Sequence, residues 1–186
     1  MRYSHRLVFL ATLISGLVAS PAAATSLQAL SLGELVENAQ QIIVGEVLTS
    51  QSHYDERGQI VTDHEVRVID VWSGQPLSSV LVRSLGGSVG EVGMRVPGSA
   101  SLRTGERYLL FLRSISPNRP MRCVGMSQGA MPVQGSAQSA QVLPGGAGAH
   151  LVQRNPQGQL IAAPSALLHA ESLPRLRRRI QRLSSP

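Results

Sequence analysis

The sequence predicts a mainly β chain: a small antiparallel barrel or curled sheet, with a short N-terminal helix and a C-terminal amphipathic helix. Three observations lead there. Residues 42–133 alternate short apolar, β-branched runs with glycine-bearing turns, the punctuation of a compact all-β domain. Gly86, Gly87, Gly90 and Gly93 interrupt the centre of this pattern, where a sheet that curls on itself needs bends. Two segments, one after Ser31 and one after Ser172, carry apolar residues at helical spacing.

Ser31-Leu32-Gly33-Glu34 is a capping box, and Leu32, Leu35, Val36 and Ala39 follow on one face, so a helix is expected over residues 32–40. Residues 42–48 read as a first strand, apolar nearly throughout and therefore central. Residues 50–58 are polar and end in Asp55-Glu56-Arg57-Gly58, a turn signal. A long second strand over 59–72 places Thr62, His64, Val66 and Val68 on one face and Asp63, Glu65 and Arg67 on the other. Its alternation breaks at 69–72, where a bulge is expected. Strands follow at 80–85, 92–96, 107–112, 121–126 and 130–133, with 107–112 the most apolar. Residues 134–150 shift to Gly, Ser, Ala, Gln and Pro, the composition of a flexible loop. Asn155-Pro156-Gln157-Gly158 is a turn signal inside a hairpin over 151–163. Residues 164–186 hold the arginine-rich helix, with Leu173, Leu176, Ile180 and Leu183 on its apolar stripe.

The ends and the charge bound the setting. Residues 1–24 have the form of a signal peptide: Arg2 and Arg6, an apolar run of about a dozen residues, then Ala22-Ala23-Ala24. Cleavage near Ala24 implies an exported protein, periplasmic or extracellular, whose β domain starts at residue 25 and runs to 133. Cys123 is the only cysteine, so no intramolecular disulfide supports the fold, and the thiol reads as a small buried hydrophobe. The net charge of +6 is concentrated at the ends: ten arginines between residues 25 and 173 face eleven acids. That balance excludes a uniformly basic nucleic-acid surface, so no nucleic-acid partner is expected.

Ile43-Val44-Gly45-Glu46-Val47, Val71-Trp72-Ser73-Gly74, Leu85-Gly86-Gly87 and Gly105-Glu106-Arg107-Tyr108-Leu109-Leu110-Phe111-Leu112 come in an order that resembles a family of exported bacterial proteins with a glycine-rich β core. Val124-Gly125-Met126-Ser127-Gln128-Gly129 belongs to the same pattern. More distantly, residues 32–133 are similar to the OB-like barrel of tissue inhibitors of metalloproteinases and netrin modules. The resemblance implies an OB-like barrel. Those inhibitors place an N-terminal cysteine amine on a protease metal and staple the barrel with disulfides. This chain offers Thr25 and Cys123 instead, so no inhibitory residue carries over.

The residue types for catalysis are present but scattered. No His-x-x-x-His, His-Glu-x-x-His or Gly-x-Ser-x-Gly occurs. Gly86-Gly87 lacks the following Lys-Ser/Thr and helix of a phosphate loop. His53, Asp55 and His64 would meet as metal ligands if their strands pair, although Asp63, His64 and Glu65 cannot converge from one regular strand. Ser88 with His64 and Asp70 gives the residues of a triad without its spacing. No residue is therefore assigned as catalytic, cofactor-binding or metal-ligating, and no cofactor is expected. The expected function is an exported, non-enzymatic binding domain for an unknown protein or envelope component. The alternatives are a metal-dependent or hydrolytic enzyme using His53, His64 and nearby carboxylates, and a peripheral membrane protein held by the arginine-rich helix.

Overall fold

The computed structural model describes residues 26–117, 119–136, 139–146 and 148–184; the expected signal peptide over residues 1–24 lies outside them. The chain runs β1 (Ser26–Gln28), α1 (Leu32–Glu37), β2 (Gln41–Tyr54), β3 (Ile60–Ser73), β4 (Ser79–Leu85), β5 (Gly87–Val89), β6 (Val92–Met94) and β7 (Arg107–Arg113). Then come β8 (Arg122–Cys123), a 3-10 turn over Met126–Gly129, β9 (Ala130–Gln134), β10 (Gln141–Val142), β11 (His150–Arg154), β12 (Leu160–Ala162), β13 (Glu171–Ser172) and α2 (Leu173–Ser184). The fold is mainly β with one short and one C-terminal helix. The capping box at α1 is complete: Glu34 N–H donates to Ser31 Oγ, and Ser31 N–H donates to Glu34 Oε2.

The main sheet has the order β13-β10-β9-β7-β2-β3-β4, with β8 paired to β7 off that path. It is an open sheet, not a closed barrel. It comes nearest to closing at the parallel bridge between Val82 and Met121, where Met121 N–H donates to Leu81 O and Arg83 N–H donates to Met121 O. The curl has a physical cause in the β2–β3 ladder. Its register shifts between Ile42 and Ile43, between Val44 and Gly45, and between Val47 and Thr49. Each shift leaves one residue unpaired and increases local twist. Two of them place the extra residue at Trp72 and Ile69, inside the stretch where the sequence pattern breaks.

The sheet buries both faces. On one, Ile42, Val44, Leu109, Phe111, Met131 and Val133 pack with Leu35 of α1 and with Leu176 and Ile180 of α2. On the other, Ile43, Val47, Val66, Val82, Leu110 and Leu112 pack under Ala100, Leu102 and Cys123. This two-sided burial explains why residues 107–112 lack alternation. Arg177 of α2 donates to Asp70 at 2.8 Å and lies over the Trp72 ring, while Arg179 pairs with Glu171. The arginine-rich helix thus docks Leu176 and Ile180 on the core, with Leu173 at its edge, and leaves Leu183 exposed.

Three expectations are corrected. The first strand does not stop at 48: β2 continues to Tyr54, because its polar half pairs residue for residue with β3 from Ser50↔His64 to Tyr54↔Ile60. The turn shrinks to a tip in which Asp55 Oδ1 accepts N–H bonds from Arg57 and Gln59. Residues 134–150 are not one structureless loop. Gln141–Val142 pair with β9 and β13, Ala140 and Val142 are buried, and Gly145 lets the chain lie against the Gln128 backbone. The β domain also does not stop at 133, since β10 and β13 extend the main sheet and α2 completes its core. β11 and β12 form a hairpin that pairs in parallel with β1 as a second, three-stranded sheet.

Candidate functional site

The polar half of the β2–β3 hairpin, with β4 beside it, presents two different surfaces. Register places Ser50 opposite His64, Ser52 opposite Thr62, and Thr62 opposite Ser84, so these side chains share one face. His64 is buried, with Nδ1 2.8 Å from Ser50 Oγ and Nε2 2.9 Å from Ser84 Oγ. Burial lowers its pKa, against a smaller opposing pull from Asp63, and keeps the imidazole neutral. A neutral ring donates from one nitrogen and accepts at the other, so one serine donates into it and the other accepts from it. Beside this trio, Thr62 Oγ1 donates to Gly86 O and hydrogen-bonds Ser52 Oγ.

The opposite face carries ions. Arg83 holds Asp63 in a two-pronged pair, Nε to Oδ1 and Nη2 to Oδ2, both at 2.6 Å. His53 Nε2 lies 3.0 Å from the same carboxylate. Burial alone would raise the Asp63 pKa, but the hydrogen bonds from Arg83 and His53 outweigh it and hold the carboxyl below its ordinary value. The hydrogen bond to Asp63, with a second to Tyr54 O, raises the His53 pKa.

The expected meeting of His53, Asp55 and His64 is therefore not formed. The two histidines lie on opposite faces, and Asp55 is engaged in the hairpin tip. Among the described residues, no three His, Cys, Asp or Glu side chains come together in a way that would hold a metal ion. Ser88, His64 and Asp70 also stay apart, with Asp70 held by Arg177 and Trp72. Cys123 is buried and its thiol is pushed up to about 12 by that burial, which makes it inert as a nucleophile at neutral pH. Ser50 on His64 is half of a nucleophile–base pair, but the group behind the imidazole is the Ser84 hydroxyl rather than a carboxylate.

Three cavities converge on Leu85, the last residue of β4. One, of about 680 Å³, is lined by Ser50, Thr62, His64, Ser84, Gly87 and Leu102. A second, of about 610 Å³, lies toward the hairpin tip between Tyr54, Arg83, Ile115, Arg119 and Arg122. A third, of about 330 Å³, lies between Ala100, Arg113, Ile115, Arg122 and Met126. The glycine segment shapes this junction. Gly87 has φ 134°, and a side chain there would collide with Ser52 Oγ and Thr62 Oγ1. The sequence reading missed Ser50, Ser84, Arg83, Arg113 and Arg122. Their partners lie on neighbouring strands, and only the register brings them together.

No protein-family model, curated protein or solved structure matches the chain.

Proposed function

We propose that the protein is an exported binding module that holds a partner at the end of β4, in the cavities that share Leu85. The observation that carries this reading is that convergence: three open cavities meet where the chain turns through Gly86 and Gly87. Their walls are hydroxyls, imidazole and guanidinium groups and exposed backbone, with the carboxylates Asp55 and Glu56 on the tip-side cavity and Tyr54 and Ile115 as exposed apolar anchors. Such a surface offers oriented polar contacts around apolar ones, the composition of a recognition site. The test fills the junction. Ser88→Trp removes capture of the envelope partner at an unchanged thermal midpoint, whereas Glu37→Trp on α1 keeps it; capture that survives Ser88→Trp would overturn the assignment.

One observation favours a hydrolytic reading as the second choice: exposed Ser50 Oγ lies 2.8 Å from His64 Nδ1. A fluorophosphonate probe decides it. Labelling of Ser50 in the native protein, lost in His64→Gln, supports hydrolysis, and an unlabelled native protein rules it out.

A further inference from the structure

Arg113 and Arg122 are direct register partners across β7 and β8. Side chains opposite one another in an antiparallel pair share a face and stand about 5 Å apart at Cβ, and like charges so placed repel. Other arginines of the structure are matched by acids. Arg67, Arg83, Arg119, Arg177 and Arg179 each have a carboxylate. Arg113 and Arg122 have no side-chain hydrogen bond or ion pair among the described residues. Both line the cavity of about 330 Å³, and no Asp or Glu lines it. Arg83 on the same wall is already matched by Asp63. The remaining wall is apolar or small, with Ile115, Ala100 and Met126. Met126 is the one non-glycine described residue at positive φ, 61°, a strained backbone that the surrounding structure must hold in place.

We infer that the Arg113–Arg122 pair is a clamp for a carboxylate borne on an apolar body, seated in the cavity between Ile115, Ala100 and Met126. Two uncompensated guanidinium groups supply parallel donors that match the two oxygens of a carboxylate. The ligand's negative charge relieves the cross-strand repulsion, and its apolar portion covers Ile115, which is 58% exposed. This deepens the binding-module reading and rests on it, since the cavity is one of the three that meet at Leu85. Two sources share the chemistry: the C-terminal carboxylate of a polypeptide and a free aliphatic acid.

The experiment is a titration of the purified protein, followed through the arginine Nε–Hε NMR signals. The probes are N-acetyl-leucine, its C-terminal amide and octanoate. The acids produce saturable shifts at Arg113 and Arg122 and the amide produces none. Tighter binding of N-acetyl-leucine assigns the clamp to a polypeptide end, and tighter binding of octanoate assigns it to an aliphatic acid. Arg113→Gln or Arg122→Gln weakens binding about tenfold or more, the scale of losing a charge-assisted hydrogen bond, while Arg178→Gln on α2 changes nothing. Neither clamp substitution lowers the thermal midpoint, because each removes a repulsion. Equal response to acid and amide would overturn the inference. So would binding that survives both substitutions, or a midpoint that falls with either. Partner capture that persists in the double variant without carboxylate shifts would sink the clamp and leave the binding module standing.

Discussion

The two halves of the β2–β3 hairpin share one backbone ladder but are held by different forces. The half near α1 pairs Ile43 and Val47 with Val71 and Val66, and the side chains of Ile43, Val47 and Val66 are fully enclosed. The half near the tip pairs Ser50, Ser52 and His53 with His64, Thr62 and Val61; it buries Ile60 and Val61, but its cross-strand side-chain contacts are mostly hydroxyl–imidazole and ion-pair bonds. The first half gains stability from apolar burial, which has no direction. The second gains less, but each of its polar groups is fixed in orientation. A chain that needed only a stable sheet would have no use for the second half. Two of the three cavities lie against it.

Substitutions separate the two halves. Ile43→Ala in the apolar half costs about 2–5 kcal/mol, the range for truncating a fully buried aliphatic side chain, measured by chemical denaturation. A smaller effect comes from Asp63→Ala, which leaves Arg83 and His53 without their shared carboxylate and costs about 1–3 kcal/mol. If Asp63→Ala matched Ile43→Ala, the polar half would be part of the core and the distinction would fail.

The two histidines then give opposite pH dependences. His64 has a folded pKa below its unfolded value, so its contribution is complete above about pH 6.5 and is lost as pH falls through the lower folded value. His53 has a raised folded pKa, so its contribution is complete below about pH 6.5 and fades as pH rises through the higher folded value. Thermal midpoints measured from pH 5 to 8 should therefore tilt one way in His64→Gln and the other way in His53→Gln. Identical profiles would mean that the two rings share an environment. The smallest effect belongs to the exposed Arg67–Glu46 pair: Glu46→Gln changes stability by less than about 1 kcal/mol and loses even that in high salt.

Much of the fold is readable from local chemistry. Ser31 and Glu34 announce α1, the apolar density of residues 107–112 announces the central strand, and the broken alternation at 69–72 marks the bulges. What stays hidden depends on distant partners. Ser50, Ser52 and His53 look like loop residues until their register with β3 is known, because their polarity records the face they line and not a lack of structure. The glycines of 145–148 look like linker, although Gly145 serves a close backbone contact with Gln128. The site was legible in its glycine marker and in His53 and His64, but not in the partners that hold those rings. Leu85-Gly86-Gly87 stands out in the sequence and Arg83 and Ser84 adjoin it on β4, but Ser50 and Ser52 come from β2 and Arg113 and Arg122 from β7 and β8. The open sheet in place of a closed barrel follows from β4 meeting only Met121, the residue before β8, through a single bridge.

In the function proposed above, the partner docks where the cavities meet at Leu85. Site-specific photo-crosslinking in the native envelope tests it most directly, with the photoreactive residue placed in turn at Ser88, Ile115 and Glu37. Discrete adducts should form from Ser88 and Ile115 and be absent from Glu37 on the helix side; adducts from Glu37 with none from Ser88 would contradict the account.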